Sequence, residues 1–297
     1  MKIGYPCINT SLDCRSIRTF RLKNYSESRL IQTVENNLEC LRKTLNYNVK
    51  NGFLFFRITS DLIPFGSHPV LKYNWQEHFK EQFRKLGHYI KENNMRISMH
   101  PGQYTVLNSN KPRVYKNAVK DLQYHVDILD LMDLNTTAKV QIHVGGVYGN
   151  KQKSLHRFIR KYQKLNQNIQ DRFIIENDDK SYSLADCMKI HEETSIPVVF
   201  DSFHHECYNN GESLEEAFQL FTKTWKKKDG IPIVHYSSQH PTKGKYCHAQ
   251  EIDLDHFTEI LRITKNYDFD LMLEIKNKEQ SARKALKILE KDPRLKN

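Results

Sequence analysis

Six cysteines are scattered through 297 residues, at positions 7, 14, 40, 187, 207 and 247, and no two stand in a Cys-x-x-Cys spacing. That excludes a zinc ribbon and a thioredoxin-type pair. Free thiols in a reducing compartment are expected, not disulfides. The opening MKIGYPC has no apolar signal core, and no run of 18 apolar residues occurs. No membrane partner is expected, and the chain reads as soluble, intracellular and cytoplasmic. Linkers rich in Pro, Gly or Ser are missing, as are low-complexity tracts and any repeat longer than a strand-helix unit. One domain over residues 1–297 is the economical expectation, large enough to bury its own core without staples.

What is abundant is positive charge and histidine. Lys and Arg number 46 against 35 Asp and Glu, a net +11, and there are 14 histidines. The charge favours anionic partners. The histidines make a metal site worth seeking.

Eight strand-like runs can be marked: 2–7, 53–60, 96–101, 139–146, 173–177, 197–202, 233–238 and 271–276. Helical periodicity fills the longer segments between them, for example 28–45, 75–92, 115–131, 214–225 and 255–263. In the second, Phe79, Phe83, Leu86, Tyr89 and Ile90 share one helix face. Eightfold alternation predicts an α/β protein of the (β/α)₈ TIM-barrel class, with a doubly wound sheet as runner-up. Residues 8–27 make a connection too long to be idle, so they are expected to be functional or partly mobile.

Barrel enzymes carry their chemistry at the C-terminal ends of the strands. Here those ends bear His100, His143, Glu176, Asp201 with His204, His235 and Glu274, and His248 follows in the seventh loop. One such residue would be an ordinary buried polar group or a helix cap. Six consecutive strands delivering carboxylate or imidazole would converge on the axis, where desolvated carboxylates need cations. Nitrogen and oxygen donors without thiolate suit Zn²⁺ or Mn²⁺. Eight ligands exceed what one ion uses, so two or three divalent ions are expected, bridged by Glu176 in the middle of the arc. Clustered ions suit in-line phosphodiester hydrolysis.

His68, in Gly-Ser-His-Pro after the second run, lies on the face where a site role is open. His205 would point away from His204 in extended chain. His78, His88, His125, His156, His191 and His256 fall in helical segments and read as packing or surface residues; His240 is undecided. The loops at the same face hold Arg15, Arg18, Arg21, Lys23, Lys111, Arg113, Lys151, Lys153, Lys243 and Lys245. Tyr5, Asn9, Gln103, Tyr104 and Tyr148 are interleaved. Cations with planar groups fit a nucleic-acid surface.

The ordered set IGYPCIN, RISMHPGQY, IHVGG, IIEND, DSFHH, VHYSSQ and LMLEIKNKE resembles the UV damage endonucleases over nearly the whole chain. The resemblance implies a barrel shared with endonuclease IV and sugar isomerases. It implies a divalent-metal cluster, Mn²⁺ foremost, with Zn²⁺ or Mg²⁺ as alternatives. The activity implied is nicking of double-stranded DNA immediately 5′ to UV photoproducts, cyclobutane dimers and 6-4 photoproducts, leaving 3′-hydroxyl and 5′-phosphate. No obligate protein partner is implied. By position it makes His100, His143, Glu176, Asp201, His204, His235, His248 and Glu274 the metal ligands, and His68 an active-site histidine. It makes Gln103 and Tyr104 the pair that probes the duplex, places Tyr5 and Asn9 near the lesion pocket, and makes Lys276 a phosphate contact. One departure is Ile233, where some relatives carry a modified lysine. An abasic-site endonuclease, a sugar isomerase or epimerase, and a non-catalytic DNA-binding protein are the competing readings. Basic, aromatic loops give a sugar enzyme nothing, and a bridging carboxylate gives a mere binder nothing.

Overall fold

Each apolar run becomes a short strand, and each strand pairs in parallel with the next, β1 to β8, before β8 returns to β1 and closes a barrel. The computed structural model describes residues 1–296. The strands are β1 (Ile3–Pro6), β2 (Phe55–Ile58), β3 (Arg96–Met99), β4 (Lys139–His143), β5 (Phe173–Glu176), β6 (Val198–Asp201), β7 (Ile233–Tyr236) and β8 (Asp270–Leu273). All eight lie within one residue of the runs marked in the sequence. The helices are α1 (Glu27–Lys50), α2 (Trp75–His78), α3 (Lys80–Glu92), α4 (Pro112–Leu131), α5 (Lys151–Tyr162), α6 (Gln167–Arg172), α7 (Leu184–Thr194), α8 (Ser202–Cys207), α9 (Leu214–Phe221), α10 (Leu254–Ile263) and α11 (Glu279–Leu289). No helix of the described residues is long and apolar enough to cross a membrane.

Side-chain alternation along the strands decides what enters the barrel. Gly4 pairs with Phe55, Phe55 with Arg96, and Arg57 with Ser98. Arg57 reaches His235 on the far side of the sheet, so this parity faces the axis. Gly4 is required here, because a Cβ would lie 1.4 Å from the Phe55 carbonyl oxygen. The other parity, Tyr5 and Phe56, faces the helices, with ring centroids 5.5 Å apart. The lower end of the barrel is closed by buried ion pairs, Arg96–Asp270 at 2.9 Å and Lys139–Asp229 at 2.6 Å.

Two expectations need correction. Phe79 interrupts the helical segment 75–92 for one residue, at φ −100° and ψ 7°, with its ring fully buried. Packing of that ring overrides continuity of the helix. Cys14 and Cys40 are bonded to each other, so not all six cysteines are free thiols. The bond fastens the 8–27 connection to α1. Asn37 of α1 fastens it again, accepting from Arg18 N at 3.0 Å and donating to the Leu62 carbonyl at 3.0 Å. The connection is anchored coil with one short 3₁₀ turn at Leu22–Asn24.

Candidate metal centre and nucleic-acid face

The upper ends of β3 to β8 bring the ligand-type side chains together. His100, His143 and Glu176 place donor atoms within 4.8 Å of one another, and so do Glu176, Asp201, His235 and Glu274. Glu176 belongs to both groups, which is the geometry of a bridge. Its Oε2 lies 3.5 Å from His100 Nε2 and 3.7 Å from His143 Nε2, while its Oε1 lies 2.7 Å from His235 Nδ1. Gln141, one inward position below on β4, donates to Oε2 at 3.0 Å.

Ring orientation is set by backbone carbonyls. His100 Nδ1 donates to the Pro101 carbonyl at 2.8 Å, His204 Nδ1 to Asn177 at 3.0 Å and His248 Nδ1 to Glu274 at 3.0 Å. In the neutral ring each leaves the lone pair on Nε2, the usual arrangement behind a metal-ligating histidine. His204 and His248 flank the two groups without joining them. Their rings are 6.1 Å apart, and His204 Nδ1 is 3.5 Å from Asp201 Oδ2.

Asp201 does two things. It caps α8, its Oδ1 accepting from His204 N at 2.8 Å, while Oδ2 is buried with no hydrogen-bond partner. The cap turns the chain into a helix at once, so His205 does not leave in extended chain as expected. It packs its ring 5.1 Å from Phe200, and its Nε2 lies 3.2 Å from the Glu212 carbonyl. His125 is a core residue, its Nδ1 donating to Asp121 O at 2.6 Å.

Sequence reasoning missed Arg57, the one charge in the apolar run Phe53–Ile58. Its Nη1 lies 2.7 Å from Glu274 Oε1 and its Nη2 donates to His235 Nε2 at 2.9 Å. The signal was available, because a lone arginine in a core strand needs a buried anion. Its bond to Nε2 places the His235 proton on Nδ1, facing Glu176. A cation taken by that nitrogen must displace the proton.

The electrostatics fit resident cations. Three buried or half-buried carboxylates, Glu176, Asp201 and Glu274, face one fixed cation, Arg57. Burial pushes the Asp201 carboxyl up to about 6; His204 opposes this and Glu176 reinforces it. Burial would lower the His204 imidazole, but Asp201 and Glu176 outweigh it and push it up to about 9. Burial also opposes charge on Glu274, yet Arg57 holds its carboxyl below the usual range. Excess negative charge, an orphaned Asp201 oxygen and aimed imidazole nitrogens together fit divalent cations held by N and O donors. Divalent ions held there would supply Lewis-acid polarisation of a phosphoryl oxygen and a nucleophilic water at neutral pH.

Three sequence-derived placements change. Tyr5 is fully buried on the helix-facing side of β1 and donates to Asn48 of α1. Asn9 is buried too, donating to the Tyr5 hydroxyl at 2.7 Å and accepting from Ser11 N at 2.9 Å. Both are engaged in fixing the first loop to α1. Lys151 is committed to Asp186 at 2.8 Å and to the Tyr208 hydroxyl at 2.9 Å, so it is not a free loop cation. His68 is exposed after β2 and stands in neither donor group. Lys276 is exposed after β8.

The face around the centre is basic and aromatic. Gln103 and Tyr104 project from the loop after β3, Tyr104 being 66% exposed. Tyr148 and Tyr246 are exposed on the loops after β4 and β7, with Arg157 5.0 Å from one ring and Lys180 4.6 Å from the other. Arg15, Arg18, Arg21, Lys23, Lys111, Arg113, Lys153, Lys243 and Lys245 are all exposed.

Comparison with known proteins gives concordant matches. The family model described as UV-endonuclease UvdE matches residues 1–295. A UV DNA damage endonuclease of Clostridium perfringens is 40% identical over 291 residues, covering 97% of this chain and 71% of that protein. The crystal structure of SacUVDE superposes with a TM-score of 0.93 at 44% identity, covering 98% of both chains. Endonuclease IV from Thermus thermophilus covers 98% of both chains with a TM-score of 0.61 at 12% identity, a likeness of fold alone.

Proposed function

This chain belongs to the UV-endonuclease UvdE family, and from that membership we propose that its one barrel domain nicks UV-damaged double-stranded DNA immediately 5′ to the lesion with a divalent-metal centre. The products are a 3′-hydroxyl and a 5′-phosphate, and cyclobutane dimers and 6-4 photoproducts are the substrates. Enzyme class and DNA as substrate follow from the family. The divalent-metal centre is supported by one observation, Glu176 shared between two donor groups at the mouth of a barrel; the position of the nick and its ends are proposed from the family resemblance.

In this reading His100, His143 and Glu176 would hold one ion, and Glu176, Asp201, His235 and Glu274 would hold a second. His204 and His248 would supply a third position at the rim. Mn²⁺ is the favoured metal, with Zn²⁺ and Mg²⁺ behind it. Arg57 neutralises Glu274 and orients His235, so the donors stand in place before substrate arrives. The exposed loop cations position the duplex through its phosphates. Gln103 and Tyr104 read the damage: a dimer stacks poorly and costs less to displace than normal bases. His68 faces the strand being cut. The enzyme works inside the cell, without a protein partner.

The test is a gel assay with metal-loaded protein and three duplexes, carrying one cyclobutane dimer, one abasic site or no damage. Nicking of the dimer duplex at its 5′ side, with ligatable 3′-hydroxyl and 5′-phosphate ends, is expected. Preference for the abasic duplex would replace this reading with an abasic-site endonuclease.

A further inference from the structure

The Glu-Ile-Lys-Asn-Lys stretch after β8 offers two lysines to the site, and the family resemblance points to the first, Lys276. The structure separates them. Lys276 is exposed, whereas Lys278 is partly buried and stands at φ 51°, ψ −119°, a backbone conformation that side-chain-bearing residues rarely adopt. Such a conformation persists only where the surroundings over-determine it, and it clusters at functional sites.

The surroundings do so here. Lys278 N donates to the Ile275 carbonyl at 3.1 Å, and its own carbonyl accepts from Ala282 N at 3.1 Å. The next residue, Glu279, is fully buried and receives Thr10 N at 3.0 Å and the Ser11 hydroxyl at 2.8 Å. The turn is thus bolted to the first loop.

The charged and titratable groups that act on the Lys278 ammonium through space are Cys7, Glu274, Arg57 and Glu279. Glu274 is already engaged by Arg57, and Glu279 by the first loop. Among the described residues, Lys278 Nζ makes no hydrogen bond and no ion pair, although it carries three donors. Burial lowers its pKa, with Cys7 and Glu274 opposing. An unpartnered cation beside a ligand-bearing strand end, held by a strained turn, wants an anion.

We propose that Lys278, and not Lys276, holds the scissile phosphate of the DNA. This rests on the phosphodiesterase reading above. An ammonium there neutralises a non-bridging oxygen as charge grows on the phosphoryl group, and it remains with the 5′-phosphate of the product. Lys276 is left as a peripheral contact to the backbone.

The experiment compares wild type with K278M, K278R and K276M, all metal-loaded, on the dimer duplex. K278M keeps the apolar stem and loses the charge. Its kcat should fall about a hundredfold, the usual loss on removing one preorganised donor from a developing oxyanion. Metal content and Tm should be unchanged, since no internal bond is lost. K278R should regain a large part of kcat, and K276M should keep kcat while KM rises. A binding readout stands beside these. Wild type should prefer nicked duplex with a 5′-phosphate over one with a 5′-hydroxyl, and K278M should lose that preference. Wild-type kcat in K278M, no rescue by K278R, or loss of metal or Tm in K278M would each overturn the proposal. A wild-type protein that nicks no duplex would instead sink the functional reading, and this proposal with it.

Discussion

Replacing Arg57 by methionine removes the fixed cation from among the ligand carboxylates while nearly keeping the stem. The guanidinium holds Glu274 at 2.7 Å and His235 at 2.9 Å, and it is 5% exposed. Without it, Glu274 loses its directly paired cation and is left facing Glu176 and Asp201. Removing one partner of a buried ion pair costs about 3–5 kcal/mol. With about 2.1 cal/mol/K of unfolding entropy per residue, a chain of 297 residues has roughly 0.6 kcal/mol/K, so Tm should fall by about 5–8 °C. That figure applies to protein stripped by a chelator. Divalent cation supplies the missing positive charge, so the deficit should narrow when Mn²⁺ is added. Differential scanning calorimetry of wild type and R57M, stripped and loaded, reads both numbers. A stripped R57M within about 1 °C of wild type, or a deficit that metal leaves untouched, would refute the assignment of Arg57 to the centre's charge balance.

Two further outcomes follow from the same geometry. In stripped protein the raised His204 pKa contributes stability that is complete below 6.5 and is lost as pH rises towards about 9. Asp201, raised from 3.8 to about 6, loses its contribution between those values. The stripped form should therefore lose stability chiefly from about pH 6.5 to pH 9, where His204 gives up on the order of 3 kcal/mol; below 6.5 the lowered imidazoles of His143 and His248 oppose the Asp201 contribution. Loaded protein should not show this decline, because both groups are then unprotonated. Denaturation midpoints at pH 5, 7 and 9 with and without metal check it, and parallel curves would contradict it. Gln103→Ala with Tyr104→Ala removes two exposed side chains, so Tm and metal content should hold. Preference for damaged over undamaged duplex should fall about tenfold, or 1.4 kcal/mol, in competition binding; unchanged discrimination would exclude the pair as the damage reader.

The barrel was legible because its strands are short, largely apolar runs, and most of the donors because they sit at or just past the ends of such runs. Position along a strand was thus readable, but which face a residue enters was read less well. Tyr5 is the example: Gly4 and Pro6 share the parity that faces the axis, so Tyr5 between them turns to the helices. Asn9 followed it outward through a hydrogen bond that no spacing announces. His205 turned because Asp201 caps a helix at the residue where extended chain was assumed. Cys14 and Cys40 are brought together by the fold of the first loop over α1, a contact across 26 residues without local signature. Lys276 and Lys278 are the same residue type two positions apart, and only the fold separates them, by the burial and the positive φ of the second.

Glu176→Gln is the most direct trial of the shared carboxylate. The amide keeps the shape and removes the charge that lets two cations stand close together. Metal analysis and nicking of the single-dimer duplex, measured on the same preparation, give the answer. The variant should lose at least one ion per chain and lose nicking, while still binding damaged DNA through its exposed loops. Full metal content with wild-type nicking would contradict a metal centre bridged by Glu176.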